Sequence, residues 1–352
     1  MVPGLLPRQL LTRLVVTQKV GRNKVKEVHE VNFCLCHLVK KSWTLPSGEL
    51  FVESLTTDGK KQCEALGAWT RKYLRETFSS FETVDPERLR WRSSRIKRVS
   101  NSGKMFWDGF RGDEDVEINE IPFEGVETVA DTYFRTWVSN EEYKKWADGL
   151  VKSKDFVVKG TEKSKELDEI VQTLSLKPFQ SYPKSVVLYG MTFAREMVDC
   201  ERYYSEMGDK PLKALLTTEQ VKTIDELSLW CWDYRFFNHA EFKQVLGAKL
   251  LDEIKQDMQN DSLFSLYSGH DYTLLILMAT LGIEHYPTLL SFGAYLLFEV
   301  YDRTTDGKTE RVFTLTLNPE PFEVSQEPTQ EVQPQNSQVL QRPGSDSIYW
   351  TI

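Results

Sequence analysis

The sequence predicts an α/β fold: a mostly parallel central sheet flanked by helices, with a mainly helical insertion. Three stretches carry this prediction, because each reads as a strand followed by a helix, and such repetition is typical of α/β proteins. Two further strands near the end of the chain read as a hairpin. The predicted strand–helix pairs are 27–38 with 56–78, 88–94 with the helix that begins near residue 100, and 263–269 with 272–283.

The first two pairs rest on periodicity. "EVHEVNFCLCHL" (27–38) alternates between polar and apolar residues and then becomes apolar, which predicts a strand. Apolar residues recur at helical spacing over 56–78, where Thr57 or Asp58 can cap the helix. "RLRWRSS" (88–94) reads as a short strand that ends in polar residues. The second predicted strand therefore ends in residues that can bind a polar ligand.

The third pair and the hairpin have stronger local signals. "LFSLYSG" (263–269) precedes the apolar run "YTLLILMATLGI", which predicts a buried helix that ends at Gly282. "GAYLLFEVYD" (293–302) and "RVFTLTLN" (311–318) flank "TTDGK", a turn signal between two strands. The intervening stretch, about 113–260, reads as a mainly helical cap.

An aromatic-rich stretch lies within the predicted cap. It either lines a substrate cleft or packs in the core, and the second interpretation is favoured because aromatic residues at helical spacing are more often buried in a core. The residues are Trp230, Trp232, Tyr234, Phe236 and Phe237.

Both ends of the chain differ from the predicted domain, 27–318. Residues 1–26 carry six basic residues and no acid, and we expect a basic arm ahead of the first strand. Arg13 interrupts the apolar run that a secretory signal needs, and the segment lacks the serines usual in a mitochondrial presequence. Residues 319–352 are rich in Pro, Gln, Ser and Glu, which predicts a disordered tail.

Composition limits the function classes. The chain has 352 residues and a formal charge of −8, so we expect no nucleic-acid partner. No apolar run reaches the roughly 18–20 residues that span a bilayer. Five cysteines without a CxxC spacing argue against a disulfide scaffold or a zinc site. An odd thiol and no clear signal peptide slightly favour an intracellular location, and nothing indicates an oligomeric state.

Polar side chains lie at the end of each of the three predicted strands. They are His37, Arg92 with its neighbouring serines, and the pair His270-Asp271. In α/β proteins ligands bind beyond the carboxyl ends of strands, next to helix N-termini that attract anions. The three strand ends therefore predict a single site for a phosphate-sized anion. The alternative is structural, with Asp271 as a helix cap and His270 as an ordinary loop residue.

Five segments together resemble the histidine acid phosphatase family, branch two of the histidine phosphatase superfamily. "LYSGHDYTLLILMATLGI" is similar to its C-terminal His-Asp motif, and "LTTDGKKQCEALG" (55–67) to its L-T-x-x-G-x-x-Q-x-x-x-L-G segment. "RSSRIKRVSNSGKMFWDG" (92–109) resembles its R-S-T segment, and "LGAKLLDEIKQDM" and "GAYLLFEVYD" occur in the family's order. The resemblance covers roughly 27–318.

The resemblance implies a histidine-phosphatase-like fold and hydrolysis of phosphate monoesters through a phosphohistidine. By position, His37 matches the nucleophile and Asp271 the group that protonates the leaving alcohol. Arg92, His270 and Lys40 match residues that bind the phosphate. The family needs no metal or other cofactor, and its substrate is a phosphorylated small molecule.

The same comparison finds departures in the family's R-H-G-x-R-x-P motif. Cys36 stands at the first arginine, Leu38 at the glycine, Lys40 at the second arginine and Ser42 at the proline. Cysteine offers only a weak S–H donor, and lysine lacks the planar fork that grips two oxygens. Two functions stay open: an acid phosphatase of reduced rate, or an inactive relative that binds a phosphorylated ligand or a protein.

Overall fold

The computed structural model describes the greater part of the chain, and every structural statement below concerns the described residues. They are 5–6, 12–17, 55, 57–78, 81, 85–94, 96–112, 123–125, 133–174, 177–207, 216–260, 262–283, 289–290, 292–318, 338–340 and 350–351.

The described strands form one nine-stranded sheet at the centre of the molecule. Its main path runs β4-β3-β5-β2-β6-β7-β8, while β1 pairs with β6 and β9 pairs with β7. In chain order the strands are β1 (Leu5–Leu6), β2 (Thr12–Thr17), β3 (Leu89–Ser93), β4 (Phe123–Gly125), β5 (Phe264–Gly269), β6 (Tyr295–Thr305), β7 (Lys308–Asn318), β8 (Gln338–Leu340) and β9 (Trp350–Thr351).

The sheet is mixed, so the expectation of a mostly parallel sheet holds for only one part of it. β4, β3, β5 and β2 run parallel to one another. From β2 outward the pairing changes, because β6 lies antiparallel to β2 and forms an antiparallel hairpin with β7. A hairpin joined to a parallel core necessarily adds antiparallel ladders. The parallel half carries the strand ends of interest.

The predicted hairpin is confirmed, and its turn has a clear physical cause. Thr305 pairs with Lys308, so only Asp306 and Gly307 form the turn. Their φ angles are 52° and 76°, both in the left-handed region. A two-residue turn with this geometry matches the twist of the strands, and Asp-Gly is a preferred sequence for it.

Two described segments within residues 1–26, where a basic arm was expected, are strands of the sheet. Thr12–Thr17 is a central strand, parallel to β5 on one side and antiparallel to β6 on the other, and Leu5–Leu6 pairs with the outer part of β6. The single Arg13 that interrupts the apolar run therefore does not prevent a six-residue strand. The strand predicted at 27–38 lies outside the described residues.

The expected disorder of 319–352 is wrong for two short segments. Gln338–Leu340 and Trp350–Thr351 pair with different parts of β7. The outer strand of a sheet presents unpaired backbone groups, and even two or three residues of tail can satisfy some of them. Averaging composition over the whole tail conceals such short pairings.

Helices cover both faces of the sheet and form most of the insertion, although β4 lies within the stretch expected to be helical. No described helix is long and apolar enough to cross a membrane. The helices are α1 (Thr57–Thr77), α2 (Lys97–Arg111), α3 (Thr136–Ser139), α4 (Glu141–Gly149), α5 (Lys154–Glu162), α6 (Ser164–Thr173), α7 (Lys184–Met207), α8 (Thr218–Phe236), α9 (Ala240–Gln259) and α10 (Asp271–Thr280).

The aromatic stretch of α8 belongs mainly to the core, as the favoured interpretation predicted. Trp232, Phe236 and Phe237 are buried in the same apolar cluster as α10, whereas Trp230 and Tyr234 are partly buried against a second cluster within the insertion. Every residue of α10 is buried. The helix that follows His270 is therefore enclosed on all sides.

Two glycines allow α1 and α2 to pack in direct backbone contact. A Cβ atom on Gly67 would lie 1.9 Å from the carbonyl oxygen of Phe106, and one on Gly109 would lie 1.8 Å from that of Glu64. Neither backbone oxygen can move without separating the helices. This close approach explains the glycines at the ends of two of the family-like segments, 55–67 and 92–109.

We expect Gly109→Ala to destabilise the fold by about 1–3 kcal/mol, because the added methyl group forces α1 and α2 apart. Differential scanning calorimetry should show a fall of roughly 2–10 °C in the thermal midpoint. Gly149→Ala is the matched control, since Gly149 has φ −85° and no atom within 4 Å of the added Cβ. Equal midpoints for the two variants would contradict the packing argument.

Candidate functional site

The carboxyl ends of β3 and β5 meet at one edge of the sheet. Their parallel register places Arg92 beside Tyr267 and Ser93 beside Ser268. One residue further on, the Ser94 N–H donates to the Ser268 carbonyl oxygen at 3.0 Å. The chain segments that follow the two strands therefore start side by side.

His270 is fixed by contacts on several sides. It occupies the N-cap position of α10, and its N–H donates to Thr273 Oγ1 at 3.0 Å. The Thr273 hydroxyl in turn donates to the Phe134 carbonyl oxygen at 2.7 Å. The imidazole Nε2 lies 3.0 Å from Ser94 Oγ, and the edge of the Trp137 ring system packs against it with centroids 5.6 Å apart. The side chain is only 1% exposed.

Asp271 is the first residue of α10 and not its cap. Its Oδ1 accepts a hydrogen bond from the Tyr272 N–H at 2.9 Å, and the residue is 5% exposed. In the structural alternative Asp271 is the cap, whereas in the structure His270 holds that position. A carboxylate in the first turn of a helix is favoured by the unpaired N–H groups and the helix dipole.

Arg92 already has a carboxylate partner. Its Nη1 lies 2.6 Å from Glu253 Oε1 on α9, with the two side chains 25% and 17% exposed. A phosphate that used Arg92 would have to share the guanidinium with Glu253 or displace the carboxylate. Nothing in the local sequence around Arg92 signals this partner, which comes from a helix far along the chain.

His37 and Lys40, like Cys36 and Leu38, lie outside the described residues, so their assignments stay predictions. The position of β2 bears on His37, because Thr17 is paired with Gly269 beside the His-Asp pair. Residues 18–26, which follow directly, contain no histidine. The assignment of His37 as nucleophile therefore rests on the resemblance to the family.

Several residues that shape the site were not predicted. Thr273 stands three residues after His270, which is the spacing of a capping box, but the residue types differ from the usual Ser or Thr followed by Glu or Gln, so the sequence signal is weak. Trp137 and Glu253 have no such signal, since their contacts with the site are long-range. Burial raises the pKa of the thiols of Cys63 and Cys231 to about 12, so neither is a candidate nucleophile. No group of metal-ligating side chains occurs among the described residues.

A parallel sheet core, a helical insertion and a His-Asp pair at the start of a buried helix define a protein of the histidine phosphatase class. The model of the histidine phosphatase superfamily (branch 2) matches residues 17–318, and the chain belongs to this family. No curated protein sequence matches the chain significantly.

Solved structures with similar folds include several phytases. Hafnia alvei phytase in its apo form has a TM-score of 0.63 at 11% identity, covering 90% of this chain and 85% of the phytase. Klebsiella sp. ASR1 phytase has a TM-score of 0.60 at 13% identity, covering 88% and 83%. A Bifidobacterium longum multiple inositol polyphosphate phosphatase, in complex with inositol hexasulfate, has a TM-score of 0.56 at 12% identity, covering 100% and 91%. At these identities the likeness concerns the fold.

We expect Glu253→Gln to tighten the binding of inorganic phosphate by about threefold to tenfold, which corresponds to roughly 0.7–1.4 kcal/mol. The substitution removes the carboxylate charge that Arg92 now faces, and a partly exposed ion pair is worth an energy of this order. Isothermal titration calorimetry measures the effect.

Glu310→Gln is the matched control, because Glu310 pairs with Arg303 near the hairpin turn, at the opposite end of β6 from the strand ends of the site. Its phosphate affinity should equal that of the unmodified protein. An unchanged affinity in Glu253→Gln would mean that Arg92 serves the fold and not the anion.

Proposed function

We propose that this protein hydrolyses phosphate monoesters through a phosphohistidine intermediate, at a rate below that of relatives with an intact R-H-G-x-R-x-P motif. One observation carries the proposal: His270 and Asp271 start a buried helix at the edge of the sheet where the strand of Arg92 ends, in a chain that belongs to the histidine phosphatases. A phosphate placed there would meet a histidine, a guanidinium and a helix N-terminus.

The proposed reaction has two displacements. His37 attacks phosphorus, and the bond from phosphorus to the ester oxygen breaks while Asp271 gives its proton to the leaving oxygen. Water then attacks the phosphohistidine, with Asp271 accepting a proton, and releases inorganic phosphate. Arg92, His270 and Lys40 bind the non-bridging oxygens, where the charge of the transferring group lies.

The surroundings of His270 and Asp271 suit this chemistry. Both side chains are almost fully buried, and charge interactions are stronger where water is excluded. The ring contacts with Ser94 and Trp137, together with the bond from the His270 N–H to Thr273, hold the residue in one orientation, so little reorganisation is needed when phosphate binds. Placement of the reacting groups is the main requirement for phosphoryl transfer.

The reduced rate follows from the departures around His37. Loss of one preorganised donor to transition-state charge typically costs about 10²–10³ in rate. Cys36 lacks such a donor, and Lys40 offers a single charge in place of a planar fork. Together they lower the expected rate by roughly 10³–10⁵, a combination that need not be additive.

A second function is favoured by a different observation. β2, which pairs with β5, ends at Thr17, and no histidine follows within the next nine residues, 18–26. If the nucleophile belongs directly after this strand, the protein has none and binds a phosphorylated ligand or a protein partner without turnover. The residues around His270 would then form a binding site that lacks the nucleophile.

The dependence of kcat on the leaving group distinguishes the enzymatic function from the binding function. We expect Asp271→Asn to lower kcat for an alkyl phosphate such as glycerol phosphate by about 10²–10⁴, because an alkoxide cannot leave without a proton. With p-nitrophenyl phosphate, whose leaving group departs unprotonated, the loss should be at least tenfold smaller. Both are measured near pH 5, and inositol polyphosphates, after which one of the solved neighbours is named, are the next substrates to test.

His37→Ala is the companion variant and should abolish turnover of both esters while preserving phosphate binding. Turnover that survives in His37→Ala would show the nucleophile to be another residue. No turnover by the unmodified protein, together with measurable phosphate affinity, would replace the enzymatic function with the binding function.

A further inference from the structure

A buried arginine joins the helical insertion to the helix that begins at the site. Arg235, on α8, is 1% exposed. Its Nε and Nη2 donate to Tyr143 Oη at 3.3 and 3.1 Å, and its Nη1 donates to Tyr272 Oη at 3.2 Å. The guanidinium also lies over the rings of Tyr189, Phe236 and Tyr272, at 5.4, 5.0 and 5.0 Å from their centroids.

This guanidinium is held by neutral groups. Among the described residues, no carboxylate forms an ion pair with Arg235. Burial raises the pKa of Tyr143 and that of Tyr272, so both phenols keep their protons at neutral pH and provide no counter-charge. Burying a charge without an opposite charge is costly, and an apolar side chain would fill such a space at lower free energy. The free-energy cost of burying this charge indicates that the arginine has a role that an apolar residue cannot fill.

A short series of contacts leads from Arg235 to the His-Asp pair. Tyr272 follows Asp271 in the chain, and its N–H donates to Asp271 Oδ1. The Tyr272 ring packs edge-on against Trp137, with centroids 5.3 Å apart and planes at 73°. Trp137 packs in the same way against His270, at 5.6 Å and 89°. Arg235 is thus separated from His270 by two side chains.

We propose that Arg235 is a positioning residue, which sets the orientation of His270 and Asp271 through Tyr272 and Trp137. The proposal rests on the proposed function insofar as these two residues handle the phosphate. Its physical basis is the planar fork of the guanidinium, which contacts Tyr143 of α4 and Tyr272 of α10 at the same time. A lysine could reach one hydroxyl or the other but would not hold both in a fixed geometry.

The orientation of His270 can be measured without turnover. With histidine labelled with ¹³C and ¹⁵N, the ring signals of His270 are identified by their loss in His270→Gln. We expect Arg235→Met to shift and broaden these signals and to lower kcat for glycerol phosphate about tenfold, while KM changes less than threefold. Arg235→Lys should resemble Arg235→Met, since it keeps the charge and loses the fork.

Arg71→Met is the matched control. Arg71 is also a buried arginine, but it donates to carbonyl oxygens at the end of α2, on the opposite face of the sheet from α9 and α10. It should lower stability without altering the His270 signals. If both arginine variants lose stability, a change of the His270 signals in Arg235→Met alone therefore cannot be attributed to that loss.

Tyr272→Phe carries the test if Arg235→Met fails to fold. It removes the hydroxyl that Arg235 Nη1 contacts and keeps the ring that packs on Trp137, so we expect the same changes at smaller amplitude. Unaltered His270 signals in a folded Arg235→Met or in Tyr272→Phe would overturn the proposal, as would signals of Arg235→Lys that match the unmodified protein. If the unmodified protein has no turnover, the proposed function fails, yet the His270 signals still decide the role of Arg235.

Discussion

The site depends on the parallel pairing of β3 with β5. Ser94 and His270 are 176 residues apart in the chain, yet their side chains lie 3.0 Å apart because the two strands end side by side. The bond from the Ser94 N–H to the Ser268 carbonyl oxygen extends this pairing one residue past β3. The start of α10, and with it the position of Asp271, follows from this register.

The polar dipeptide at the start of an apolar helix has a physical explanation in this arrangement. All ten residues of α10 are buried, so the helix is enclosed by apolar packing along its length. Its N-terminus, however, reaches the edge of the sheet, where unpaired N–H groups need polar partners. Thr273 and the backbone of Phe134 supply part of that polar environment.

Elements with strong local signals could be predicted from the sequence. β5, α10 and the Asp306-Gly307 hairpin each carry a pattern that few other structures accommodate, and the His-Asp pair lies between β5 and α10 as that pattern predicts. β2 was missed because Arg13 divides its apolar run, and the short strands of the tail because two or three residues have no periodicity. Trp137, Glu253 and Arg235 could not be predicted to act at the site, since tertiary packing alone brings them there.

The long insertion between β3 and β5 has a consequence for folding kinetics. Neighbouring strands that are so distant in sequence can pair only after a large loss of chain entropy, and such contacts form slowly. Helices α5, α7 and α8 pack against one another within the insertion and can form first. The surroundings of His270 should therefore be assembled among the last parts of the molecule, and the apolar residues of α10 should remain accessible to aggregation or chaperone binding until β5 reaches its place.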